Sequence, residues 1–220
     1  MAWDQIGQLL VGGTVETLYT VAIATVLGYL LGLPLGVLLT ITDRGGLLPR
    51  PVLNRVLGFV VNFLRSVPFL ILMIWLTPFI RLVVGTSIGP KAAIVALVIA
   101  AAPFIARLVE ATLKEVDPGV VEAARSMGAG NWQIITKVLL PEARTSLLIN
   151  AAIATTTIIA YSAMAGFIGA GGLGTIATNY GYRRYNNTIM NLTVIVLVVL
   201  VQVIQELGLR LAKKWDKRKH

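Results

Sequence analysis

No residue from Thr17 to Thr42 carries a charge. A transmembrane helix needs about 20 mostly apolar residues, so this stretch can cross a bilayer. It constrains the fold more than any other feature of the chain. In hydrocarbon every backbone N–H and C=O must find a partner, and a helix supplies those partners within one segment. Four further apolar stretches follow, over about 60–80, 92–109, 143–165 and 186–208. Arg65 stands near the start of the second. Arg107 stands near the end of the third, where its stem can snorkel to the headgroups. The uncharged run from Thr145 to Tyr182 is too long for one span. It reads as a helix to about Ala165 and then a glycine-rich loop. Composition agrees: 56% of residues are hydrophobic and 13% charged, against roughly 45–50% and 25% in soluble domains. The expected architecture is an all-α integral membrane protein, one transmembrane domain over 1–220 with five transmembrane helices.

Charge then orients the spans. The net charge is +9. In a soluble chain that suggests nucleic acid, but in a membrane chain Lys and Arg mark cytoplasmic loops. With the N-terminus outside, Arg44, Arg50, Arg55, Arg65, Arg107, Lys114, Arg125, Lys137, Arg144, Arg210 and the basic tail (Lys213, Lys214, Lys217, Arg218 and Lys219) fall inside. Only Arg81, Lys91, Arg183 and Arg184 fall outside. The expected topology is therefore N-out, C-in, with no nucleic-acid partner. The segment before Thr17 holds Asp4 and Glu16 but no Lys or Arg, the wrong flank for a cleaved signal peptide. The first span is expected to stay in the mature chain. There is no cysteine and the one histidine is His220, which excludes Cys-based metal or redox sites and a His-centred catalytic site.

Two further patterns lie in the spans. Gly28, Gly32 and Gly36 form a small-xxx-small row that allows close helix approach. It fits packing inside the chain or a dimer contact. Pro34, Pro68, Pro78 and Pro103 can each kink a helix, because proline removes a backbone hydrogen bond.

The strongest signal lies between the third and fourth spans, over about 115–141. Asp117-Pro118 opens a short helix, with proline at a favoured first position. Ala123 and Ala124 are small and helix-favouring. Gly128 can end the helix in a left-handed conformation. A second helix starts near Asn131. Its Ile134, Lys137, Val138 and Pro141 fall at i, i+3, i+4 and i+7, one mostly apolar face. Two short helices joined by a glycine make a compact projection suited to a groove on a partner.

This segment resembles the EAA loop of ABC-importer permeases, whose pattern is E-A-A-x3-G-x9-hydrophobic-x-L-P. Glu122, Ala123, Ala124, Gly128, Val138, Leu140 and Pro141 match every defining position. Other stretches are similar to the methionine branch of that family. They are Ala102-Pro103-Phe104-Ile105-Ala106-Arg107, Tyr161-Ser162-Ala163-Met164-Ala165-Gly166, Gly169-Ala170-Gly171-Gly172-Leu173-Gly174 and Asn179-Tyr180-Gly181-Tyr182, while Phe63-Leu64-Arg65-Ser66-Val67-Pro68-Phe69 is similar to the R-x-x-P element of amino-acid-type permeases. The likeness implies a permease subunit of an ATP-driven importer in a bacterial inner membrane, carrying an amino acid, methionine above others, by alternating access. It implies a homodimer, two cytoplasmic ATPase subunits and an extracytoplasmic substrate-binding protein. Glu122, Ala123, Ala124, Arg125, Gly128 and Pro141 would then couple to the ATPase. This chain is expected to be no enzyme and to bind no cofactor or metal. It has no G-x-x-x-x-G-K-[ST] phosphate loop, so ATP and Mg²⁺ would sit on the partner.

The path is less legible. Thr155, Thr156, Thr157, Tyr161, Ser162 and Met164 make the fourth span polar and adaptable, although Thr and Ser also bond back to their own helix. Tyr161, Ser162 and Met164 are the candidates for the path near its outer end. The glycine-rich stretch matches G-x-G-x-x-G literally but follows a membrane helix and has no acid about 20 residues later, so it is no dinucleotide site. It reads as a flexible outer loop near a delivery protein, whose acids Arg183 and Arg184 can meet. Two rival readings remain: a permease for another amino acid, a betaine or a sulfonate, and an ion-coupled secondary transporter. The second needs intramembrane acids, and no Asp or Glu lies deep in the five spans as drawn.

Overall fold

In the computed structural model the described residues are 3–215. Lys217, Arg218 and Lys219 of the basic tail, and the one histidine, His220, lie outside them. Among the described residues all regular structure is helical.

Helix α1 (Trp3–Ile41) has 39 residues and is about 58 Å long at 1.5 Å per residue. It starts at Trp3, not near Thr17. Asp4 in its first turn favours the positive end of the helix dipole, so the acidic flank extends the helix instead of ending it. Glu16, read above as part of the flank of the first span, therefore lies within the helix. Helix α2 (Pro51–Ser66) begins with proline at its first turn. Pro68 then pushes Val67 into an extended conformation (φ −80°, ψ 124°), as the residue before a proline prefers. Helix α3 (Phe69–Trp75) follows at 103° to α2. Helix α4 (Thr77–Val84) carries Pro78 in its first turn and ends on left-handed Gly85. The stretch expected as one span over 60–80 is thus divided among three helices.

Helix α5 (Pro90–Lys114) is the centre of the bundle, and its alanines are the reason. Ala92, Ala93, Ala96, Ala101 and Ala106 are all but inaccessible, and their small side chains let α1 run alongside. The glycine row of α1 faces them. A Cβ on Gly32 would stand 2.7 Å from the Ala102 carbonyl oxygen, and one on Gly36 2.6 Å from that of Ala106. The row is therefore an internal helix contact, and the dimer alternative for it is set aside.

The projection comprises α6 (Pro118–Ser126), α7 (Asn131–Ile134), a π-helical turn (Ile135–Leu139) and α8 (Leu140–Glu142). Helix α9 (Arg144–Ala165) follows. A 3₁₀ turn (Gly166–Ile168), the short α10 (Gly172–Ile176) and a second π-helical stretch (Ala177–Tyr182) lead to α11 (Asn187–Lys214). Four helical segments are long and apolar enough to cross a membrane: α1, α5, α9 with its 3₁₀ extension, and α11. The bent pair α2–α3 makes a fifth if it counts as one span.

The glycine-rich stretch is not an open loop. Gly172, Leu173, Gly174 and Ile176 are buried. A Cβ on Gly174 would overlap Ala163 of α9, and one on Gly166 would overlap Gly174 itself. Backbone packs on backbone there, which only glycine permits.

Candidate functional site

The projection is built much as its residues dictate. The Asp117 carboxylate accepts from the Gly119 N–H at 2.8 Å, an N-cap that satisfies an orphan donor. Helix α6 ends at Gly128, φ +82°, and the Ala129 N–H closes back on the Ala124 carbonyl at 3.1 Å. The Gln133 side chain reaches back to the Gly130 N–H at 3.0 Å and starts the second helix.

The buried face of that second helix differs from the expected one. Ile134, Ile135 and Leu139 are buried, while Lys137 and Pro141 are exposed. The reason is Pro141. It has no N–H to offer the carbonyl one turn back. The helix widens, and the Leu140 N–H bonds to the Ile135 carbonyl instead, an i→i+5 pattern that moves the apolar register.

Of the candidate coupling residues, Glu122, Ala123, Arg125, Gly128 and Pro141 lie on open surface. Ala124 does not. At 6% exposure it belongs to the core and seats α6 on the π-helical turn. Glu122 and Arg125 also line an open cleft of about 500 Å³ between α6 and the turn after α1. Sequence patterns did not single out Met127 (82% exposed) and Trp132 (75% exposed), which form an apolar tip beside Gly128. The signal available was two large apolar residues flanking a helix-ending glycine.

Behind the projection, ion pairs and hydrogen bonds tie α5 to the turn after α1, to α2 and to α9. Lys114 bridges Asp43 at 2.7 Å and Glu110 at 2.9 Å. Arg107 pairs with Glu110 at 2.6 Å and donates to the Gly58 carbonyl of α2 at 3.0 Å. A carboxylate one turn further along α5 and a carbonyl across the interface thus hold the Arg107 guanidinium. Asn150 of α9 donates to Thr112 Oγ1 at 2.6 Å. The Lys114 ammonium, and then the Arg44 backbone N–H, hold the Asp43 carboxyl below the usual carboxylate range.

At the opposite end of α9 the three path candidates separate. Tyr161 stacks on Phe69 of α3, ring centroids 4.8 Å apart and ring planes nearly parallel. Ser162 is buried and Met164 is half exposed. The threonines Thr155, Thr156 and Thr157 all bond back to carbonyls of α9 itself. Arg183 donates to Asn179 at 3.2 Å, and Arg184 lies over the Tyr180 ring. Among the described residues no three His, Cys, Asp or Glu side chains gather as metal ligands.

Fold and site define a class: a multi-pass helical membrane protein with a folded two-helix projection at one end. The chain belongs to the binding-protein-dependent transport system inner membrane component family, whose model matches residues 8–218. It is an inner-membrane protein with several membrane-crossing helices. A probable D-methionine transport system permease protein, MetI, of Vibrio cholerae is 55% identical over 96% of this chain and 93% of its own. Its counterpart in Pasteurella multocida is 45% identical over 98% of both. A chain of the MetNI methionine ABC transporter, solved in inward-facing conformations, superposes with a TM-score of 0.96 at 47% identity. That match covers 99% of this chain and all of the other. An amino acid ABC transporter shares the fold at 21% identity, with a TM-score of 0.79.

Proposed function

We propose that this chain is the membrane-spanning permease subunit of an ATP-driven methionine importer. Two copies form the path, two ATPase subunits seat on the projections, and a binding protein delivers substrate at the far end. The observation that carries this reading is the likeness to D-methionine permeases and the MetNI transporter over essentially the whole chain. The geometry supports it. The projection exposes a carboxylate (Glu122), a small close-approach surface (Ala123, Gly128) and an apolar tip (Met127, Trp132). Just behind it, ion pairs and a hydrogen bond tie the end of α5 to the turn after α1 and to α2, so a push on the projection reaches the helices through α5. The chain itself makes and breaks no covalent bond. ATP and Mg²⁺ belong to the partner, and the projection side faces the cytoplasm. Tyr161, Ser162 and Met164 lie toward the outer end of the path.

The test uses Gly128. Nothing lies within 4 Å of a Cβ there, but its φ is +82°. Bulk is therefore harmless within the chain, while the left-handed backbone disfavours other residues by about 1–2 kcal/mol. Gly128→Val is expected to lower ATP-driven methionine uptake in proteoliposomes about tenfold. Gly128→Asn, which tolerates that backbone, retains most of it. Full uptake by the valine variant, with normal yield of the ATPase complex, removes the projection from coupling.

A further inference from the structure

We propose that Glu16 is a positioning residue for transport, clamping the glycine-rich segment against α9 at the outer end of the path. Glu16 Oε2 accepts the Gly172 N–H at 2.6 Å, and the next residue, Thr17, accepts the Leu173 N–H through Oγ1 at 2.9 Å. Two consecutive side chains of α1 thus hold the two leading amides of α10. The fit leaves no slack. A Cβ on Gly171 would stand 2.6 Å from the Glu16 carboxylate, and one on Gly172 would overlap Thr17 Oγ1. Gly171 and Gly172 both have positive φ (+90° and +66°). This turn aims successive N–H groups at one acceptor pair, as an anion-binding backbone does.

The clamped segment touches the candidate path. On the far side of α10, Gly174 presses backbone to backbone on Ala163, the residue between Ser162 and Met164. The Gly169 carbonyl accepts from the Gly89 N–H at 2.9 Å, joining the segment to the start of α5. Thr175 Oγ1 accepts the Gly171 N–H at 2.9 Å and donates to the Gly166 carbonyl at 3.2 Å. The segment is thereby one rigid block wedged between α1, α5 and α9. Only the α1 contact is made by an acidic side chain, and a charge-assisted bond is about twice as strong as a neutral one. Glu16 is thus the strongest single fastener of a block that packs on Ala163, next to Met164.

The role in transport rests on the proposed function; the clamp does not. The chain has no cysteine, so Ala170→Cys supplies a single reporter at a position 4% exposed. The purified permease–ATPase complex in detergent is labelled with a water-soluble maleimide, with Glu16, Glu16→Gln or Glu16→Ala. Glu16→Ala is expected to raise the labelling rate about tenfold or more, as loss of a charged bond to a partly buried amide implies. Glu16→Gln keeps one acceptor for Gly172 and stays within about threefold of wild type. Without the reporter, Glu16→Ala should lower D- or L-methionine uptake per ATP hydrolysed at least about fivefold while basal ATP hydrolysis is kept. Glutamine should rescue it. Unchanged labelling overturns the clamp. Raised labelling with normal uptake per ATP overturns the positioning role. If Glu16→Ala fails to assemble, Thr17→Val removes the neighbouring acceptor and must raise labelling for the clamp to stand. Absence of methionine uptake by the wild-type complex overturns the transport reading and leaves the labelling result intact.

Discussion

Gly36→Ala probes the packing on which the bundle depends. The added Cβ would lie 2.6 Å from both the Ala106 carbonyl oxygen and Val109 Cβ. Ordinary contact begins at 3.4 Å, so α1 must retreat by about 0.8 Å along a parallel neighbour, which overpacked cores resist. A carbonyl cannot change rotamer, so the helix body has to move. Overpacking costs about 1–3 kcal/mol and alanine's helix preference returns about 1 kcal/mol, leaving a net loss of about 1 kcal/mol. For a chain of this length that is a fall in melting temperature of about 2–4 °C. The assay is tryptophan fluorescence of the purified complex, heated at one fixed rate. Gly12→Ala is the control, since nothing stands within 4 Å there, and it should not lower the melting point. Gly28→Ala meets only the Ile105 and Ala101 side chains, at 3.1 and 3.3 Å, and should fall between. Gly32 faces the Ala102 carbonyl at 2.7 Å, so one displacement relieves both sites, and the Gly32→Ala/Gly36→Ala pair should lose less than the sum. If Gly36→Ala melts with Gly12→Ala, the close approach of α1 and α5 is wrong.

Two shorter predictions follow from the projection and its base. Trp132→Ala should leave the melting point unchanged, because the ring is 75% exposed, yet weaken ATPase binding about 30-fold if it acts as an interface anchor; equal affinity excludes it from the docking surface. Asp43→Asn removes the bridge to Lys114. The folded pKa of Asp43 is lowered, so its contribution is complete above the unfolded value of about 3.9 and is lost as pH falls through the folded one. With the Asp43 side chain 39% exposed, the loss in the variant is below about 1 kcal/mol. The two proteins should differ in melting point at pH 7 and converge toward pH 3, and a difference that persists at pH 3 assigns the effect to something other than charge.

What the sequence determined by itself is whatever rests on signals within a turn or two of helix. Uncharged runs force helices, because hydrocarbon offers the backbone no other partner. Asp117-Pro118 opens α6 and Gly128 ends it, since cap and left-handed glycine act on their own neighbours. The small glycine row announces a close contact. What only the tertiary structure decided is where each of these finds its partner. The glycine row met α5 because alanines some seventy residues later present a flat surface to it. The expected face of Ile134, Lys137, Val138 and Pro141 was lost because one missing N–H widened a turn and moved the register. Pro68 permitted a kink, yet the 103° corner also needs Phe69 buried against Tyr161. Glu16 looked like the polar flank of a span, and no local pattern reveals that its carboxylate caps Gly172. Separation in sequence carries no information about which acceptor an amide will find. That choice is made when α1, α5 and α9 pack closely enough to leave one carboxylate within 2.6 Å of one glycine N–H.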